Sequence, residues 1–192
     1  ANGGEYEQPG DIVAICAYGL MNVRLMLLSK IGQQYDPVTG AGTVGRNYCY
    51  QTSSAARMFF EGKHFNPFIG AGTLGQSMDD FNGDAFDHSK LDFVGGAGIN
   101  CVVSNGRPIG NRPTVPGSPR WGANWDQATV DGYNNSMGFS AQGSSYPVRE
   151  NYLDLDPTYT DRHGRPLLRV TFDFPDNDIA MSHRLSDQME KM

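Results

Sequence analysis

The sequence has no apolar run long enough to cross a bilayer. Its longest, Ile12 to Tyr18, falls far short of the roughly 20 residues a spanning helix needs, and Arg24 interrupts the continuation. It has no basic cluster either. Fifteen Lys and Arg stand against 21 Asp and Glu for a net charge of −6, so nothing here would neutralise a run of phosphates, and a nucleic-acid partner is excluded. Cysteine is scarce: Cys16, Cys49 and Cys101 are far apart and lack the paired spacing of a zinc site. They are expected to be small buried hydrophobes, and three of them allow at most one internal disulfide. No G-x-S-x-G elbow is present, and the four histidines, His64, His88, His163 and His183, sit in separate segments, so no hydrolase constellation emerges. The chain opens at Ala1 without an initiator Met or signal peptide, as expected of an internal piece.

What the sequence does have is glycine and proline. With 24 Gly, 11 Pro and 39% hydrophobic residues, its composition favours short strands and many turns over a helical bundle. A length of 192 residues suits one good core, or one core and part of another.

Asp11 to Ala17, bounded by Pro9-Gly10, has the pattern of a buried strand. Leu20, Val23, Leu27 and Ile31 follow at helical spacing before Gly32. Tyr35 to Asn47 is loop by composition, and Tyr48 to Phe60 is open between strand and helix, because its apolar residues fit neither period cleanly. Strands are expected at Leu91 to Val94, Gly98 to Ser104, Met137 to Gly143, Tyr152 to Asp156 and Leu167 to Phe174, with a turn at Asp161 to Pro166. A long irregular excursion is expected over Asn105 to Gly122, a short helix over Asp126 to Asn134, and a final helix over Asp176 to Met192 on Ile179, Met181, Leu185 and Met189.

Two matches to G-x-G-x-x-G occur, Gly40 to Gly45 and Gly70 to Gly75. Such a motif grips a pyrophosphate only between a feeding strand and a following helix, and neither match has that context, so both read as glycine turns. The acidic stretch from Asp79 to His88 fails the calcium-loop register, because Ala85 and Leu91 stand where glycine and glutamate are needed.

In blocks, the sequence resembles the glucose-methanol-choline (GMC) oxidoreductases. CAYGLMNVRLMLLSKIG (Cys16 to Gly32) is similar to a family signature, with Asn22-Val23 in place of Ser/Thr-Pro and Lys30 in place of a glycine. TVGRNYCYQ (Thr43 to Gln51) resembles the loop leading from the cofactor domain into the substrate domain. FNPFIGAGTLGQSMDDFNGDAFDHSKLDFVGGAGI, RPTVPGSPRWG and AQGSSYPVRENYLDLDPTYTDRHGRPLLRVTFDFPDND are most similar to the flavoprotein subunit of membrane-associated gluconate, ketogluconate, fructose and polyol dehydrogenases.

The resemblance implies an α+β piece: the last strand and helix of an FAD-binding domain over residues 1–50, an antiparallel substrate-binding sheet over 51–174, and a helix over 175–192 leading onward. It implies FAD as cofactor, with the pyrophosphate cradle and the catalytic His/Asn or His/His pair elsewhere in a chain about three times as long. It places Ala17, Tyr18, Asn22, Gly45, Arg46 and Asn47 on the FAD side. Trp121, Trp125, Gln142, Ser144, Arg149 and Asn151 are candidates to hold a sugar, sugar acid or polyol, against the plainer readings of core tryptophans and surface polar residues. It further implies cytochrome c and small-subunit partners on the periplasmic face of a bacterial inner membrane. The reading from another class is a noncatalytic carbohydrate-binding or scaffold domain on the same sheet.

Overall fold

The computed structural model describes residues 4–67, 75–103 and 113–192. It is α+β, and its contacts divide it into two compact units. The N-terminal unit joins residues 1–49 to 147–173; the sheet unit joins 50–146 to 174–192. This differs from the division expected at 50 and 174. Residues 147–173 return to the N-terminal segment, and the last helix packs with the sheet.

In the sheet unit, β1 (Thr52–Phe59), β2 (Gly75–Met78), β3 (Ala97–Val103) and β4 (Ser136–Gly143) form an antiparallel sheet in the order β1-β4-β3-β2. The ambiguous segment from Tyr48 thus resolves as strand. Helix α2 (Ala123–Asn134) precedes β4, and α3 (Asp176–Glu190) closes the chain. Period-two alternation sends Ala97, Ile99 and Cys101 of β3 and Phe139 and Ala141 of β4 to one face. There Met181, Leu185 and Met189 of α3 complete the core with Phe93. Ile179, expected on the same stripe, is instead 45% exposed. Ser54 adds a polar tie from β1 to α3, its Oγ lying 2.7 Å from Ser182 Oγ.

No strand forms at Leu91 to Val94. Phe93 is buried, but the Val94 backbone is held by a side chain: its N–H donates to Asn177 Oδ1 (2.9 Å) and its carbonyl accepts from Asn177 Nδ2 (3.2 Å). An amide that supplies both halves of a ladder rung makes a partner strand unnecessary.

In the N-terminal unit, α1 (Gly19–Leu28) packs against a hairpin of β5 (Tyr152–Thr160) and β6 (Pro166–Thr171). Asp161 to Pro166 turns the hairpin as expected, with Gly164 at φ 74°. The helix ends in a Schellman arrangement: Ile31 N–H reaches Met26 O (2.9 Å), Lys30 N–H reaches Leu27 O (3.2 Å), and Lys30 takes the left-handed conformation at φ 55°.

The segment expected as a strand, Asp11 to Ala17, is not one. Ile12 and Val13 are 90% and 81% exposed. An apolar run becomes a buried strand only where neighbouring strands take up its backbone groups, and among the described residues the sheet of this unit is the β5–β6 pair.

Candidate functional site

Among the described residues, the face of the four-stranded sheet turned away from α3 is largely polar over three rows, and its fourth row is covered: Ser136 is buried and Phe59 lies beside Gly132 of α2. The strand register aligns its residues in rows. Ser53, Gln142 and Gly98 form one row; Ala55, Ser140, Asn100 and Ser77 the next; Arg57, Gly138, Val102 and Gly75 the third. Neighbouring strands lie about 4.8 Å apart and successive rows about 7 Å, so these side chains cover an area of roughly 14 by 14 Å.

Period-two alternation in TSSAARMF, AGINCVV and SMGFSAQG produces this face. Most of the residues between the inward ones are small, hydroxylic or amide, with Arg57, Phe59 and Val102 the larger exceptions on these three strands. Among the described residues, Ser53, Ser77, Asn100, Ser140 and Gln142 have no side-chain hydrogen-bond partner, so their donors and acceptors face solvent. Such a surface matches a ligand rich in hydroxyl groups.

Of the residues proposed from sequence to hold substrate, Gln142 lies on this face. Ser144 lies at its rim, where both its N–H (2.9 Å) and its Oγ (3.2 Å) donate to Gly96 O. Trp121, 85% exposed and therefore no core anchor, stands just before α2, and Trp125 stands in its first turn. It is the other end of α2 that is tied to the end of β1, through Phe60 N–H to Asn135 O (2.8 Å).

Arg149 and Asn151 belong to the N-terminal unit. Asn151 is 2% exposed and fully engaged there: its Nδ2 donates to Asp173 O (2.8 Å), its Oδ1 accepts from Asp173 N–H (2.9 Å), and its carbonyl accepts from Tyr48 N–H (2.9 Å). It is a structural bridge. Ser53, Arg57, Ser77, Asn100 and Ser140 escaped the sequence reading; the signal available for them was the same alternation, since each stands between two inward positions.

The six residues placed on the FAD side all lie in the N-terminal unit and form two groups. In the first, Asn22 of α1 accepts from Ala17 N–H at 2.6 Å, while Tyr18, at φ 73° and largely exposed, accepts Asn22 N–H at 2.7 Å. Arg24, two residues on, fixes this end of α1 to the hairpin turn through Asp161 (2.8 Å) and Pro166 O (2.9 Å). The hydrogen bond from Arg24 holds the Asp161 carboxyl well below the ordinary range.

The second group sits at the open end of the hairpin. Gly45, at φ 92°, accepts Leu153 N–H at 2.7 Å, and a Cβ there would lie 2.0 Å from Leu153 O, so only glycine fits. Arg46 is exposed. Asn47, at φ 55°, has a buried Oδ1 with no hydrogen-bond partner among the described residues. An orphaned acceptor beside an exposed cation is what an edge of a nucleotide site would present, so these residues fit a flavin nucleotide.

The glycine loop Gly40 to Gly45 is a turn. It carries one isolated parallel bridge, Gln34 to Val44, and no helix follows before β1. The second motif, Gly70 to Gly75, lies outside the described residues except for its last glycine.

No protein-family model matches the chain. Over 191 residues, 99% of this chain, the sequence is 46% identical to a gluconate 2-dehydrogenase flavoprotein from Pantoea cypripedii. The match covers 31% of that relative, so the chain spans about a third of its length. By its name the relative is a flavoprotein and a dehydrogenase. No helix among the described residues is long and apolar enough to cross a membrane.

Proposed function

We propose that the chain is a segment of an FAD-dependent dehydrogenase of the GMC class that oxidises a CH–OH group of a sugar, sugar acid or polyol. The observation that carries this reading is identity of 46% along essentially the whole chain to a gluconate 2-dehydrogenase flavoprotein. The open polar sheet face and the unsatisfied Asn47 Oδ1 give it a physical basis.

Tyr18, Arg46 and Asn47 would hold part of the flavin nucleotide, which when bound supplies a hydride acceptor. The hydroxyl and amide side chains of the sheet would fix the substrate's hydroxyls, so that one carbinol carbon is presented in a single orientation. The hydroxyl proton needs a base, and the resemblance puts that base, like the pyrophosphate cradle, in sequence beyond these residues. A cytochrome c and small-subunit partnership on the periplasmic face of the inner membrane belongs to the same reading and rests on resemblance.

The test is an absorbance spectrum of the purified full-length protein. A flavin spectrum that bleaches anaerobically on adding gluconate is expected; a colourless protein that binds sugars without redox change would favour the carbohydrate-binding reading. The 192-residue chain alone is expected to bind FAD weakly or not at all, because nanomolar affinity needs about 12 kcal/mol and the phosphate cradle would supply much of it.

A further inference from the structure

The two edges of the four-stranded sheet are unlike. β2 is four residues long and runs into Asp79 and Asp80, and a short strand ending in charge is a blunted edge. β1 has eight residues in unbroken register with β4, with no proline, lysine or acidic residue to deter a neighbour. Phe60 N–H reaches Asn135 O at 2.8 Å, which makes that opposed pair a hydrogen-bonded one, so by alternation Thr52, Ser54, Ala56 and Met58 turn their backbone groups to β4. Ser53 and Ala55 therefore turn theirs outward, over the free edge. Among the described residues no hydrogen bond reaches the backbone N–H or carbonyl of either.

Helix α3 is incompletely covered beside the same edge. Arg184 and Gln188 lie on the flank shared with Phe81 and Phe86, in the segment that follows β2. Ser182 and His183 lie on the other flank, over β1, where Ser182 meets Ser54. There a groove of about 160 Å3 opens between Ser53, Phe174, Ile179 and His183. Ile179, the member of the apolar set of α3 that is 45% exposed, forms its apolar wall. All of these residues belong to the sheet unit. Unbonded rungs next to a partly apolar groove are the two halves of a strand-addition site: the main chain gives affinity and alternate side chains fill the groove.

We propose that a further strand is added to the open edge of β1, supplied by the same polypeptide outside these 192 residues, with an apolar side chain seated in the groove against Ile179. The inference rests on the reading of the chain as a segment of a longer flavoprotein. The match covers 31% of the relative, so a parent of that size holds ample chain for the strand. A tethered strand also meets the edge at high effective concentration. A second copy joined through one ribbon of eight residues would instead fall well short of the about 1,200 Å2 that a stable interface buries. Alternate side chains of the added strand would stand beside Ser53 and Ala55 and widen the polar face by one column, about 4.8 Å across, so the candidate substrate surface is incomplete without it.

The test is hydrogen–deuterium exchange of the full-length protein, resolved to single amides. Ser53 and Ala55 are expected to exchange about 100-fold or more slowly than open amides, at a rate independent of protein concentration. Ala55→Pro removes an N–H that β4 does not use; a free edge tolerates it, whereas a paired one should lose protection at Ser53. Ile179→benzoylphenylalanine, at an exposed position, identifies the occupant: on irradiation it should cross-link to a peptide of the same polypeptide beyond the 192 residues. Free exchange at Ser53 and Ala55, protection that fades on dilution, an unaltered Ser53 in Ala55→Pro, or a cross-link to a second copy or within the 192 residues would overturn the inference. Should Ala55→Pro not fold, wild-type exchange and the cross-link decide. The visible spectrum of the same preparation reports separately on the flavoprotein reading: flavin retained with an unprotected edge removes the added strand alone, whereas missing flavin removes the dehydrogenase and leaves the exchange readable.

Discussion

The two compact units are held together by different means. In the sheet unit, Ile99, Ala141, Met181 and Met189 are completely buried in a layer of helix on sheet. The N-terminal unit buries little apolar volume beyond Leu27, Tyr35, Val44 and Leu153, and leaves Tyr6, Ile12, Val13, Tyr18 and Val38 in solvent. It relies on polar clamps: Arg24 on Asp161, Arg169 bidentate on Asp154, Asn151 on the Asp173 backbone, and Tyr35 OH on Arg149 O at 3.1 Å. An apolar layer tolerates loss of a surface hydrogen bond but not a cavity, and a clamped hairpin behaves the other way round.

Cutting Ile99 to Ala should break the sheet unit hardest. Removing a fully buried isoleucine at the centre of the core is expected to cost about 3 to 4 kcal/mol, read by urea unfolding. Trp121 and Trp125 both lie in the sheet unit, so their fluorescence reports that unit. If amide exchange in β5 and β6 accelerated to the same degree, the contrast would fail and the two units would unfold as one.

Asn151→Ala should act in the opposite place. It removes the donor and acceptor that Asp173 uses on a buried amide and should cost about 2 kcal/mol, seen as faster amide exchange in the hairpin with the tryptophan signal unmoved. The smallest change is a gain. Lys30→Gly should stabilise the end of α1 by about 1 kcal/mol, because a side chain at φ 55° pays a steric penalty that glycine does not. Slower exchange of the Ile31 amide would register it; no change would mean that contacts of the Lys30 side chain offset the strain.

The elements that could be read in the sequence were those whose partners lie within it. Met181, Leu185 and Met189 announced α3 by their spacing, and β4 and β5 showed themselves as runs between turn residues, because the core they build is supplied by neighbouring segments of the same chain. Leu91 to Val94 failed for a reason no local pattern carries: the Asn177 amide, more than eighty residues away, takes the place of a strand. Asp11 to Ala17 had the right composition, but an apolar run does not say whether anything will cover it.

The candidate site divides in the same way. Gln142 was legible because it stands in a recognisable strand. Asn151 looked the same in sequence and proved to be a buried bridge, since polarity alone does not say which side of a chain a side chain takes. Arg57 went unseen because its strand fitted neither period until β4 was laid beside it and fixed which residues face outward.

The strand order has a kinetic consequence. β4 is the last of the four sheet strands to be synthesised, yet it lies between β1 and β3. Until residues 136–143 arrive, β1 and the β2–β3 hairpin each wait with an open ladder edge and nothing to bring them together. Closing a gap of nearly eighty residues from Phe59 to Ser136 is the slow event in making this sheet, and the ribosome must deliver that segment before the open face exists at all.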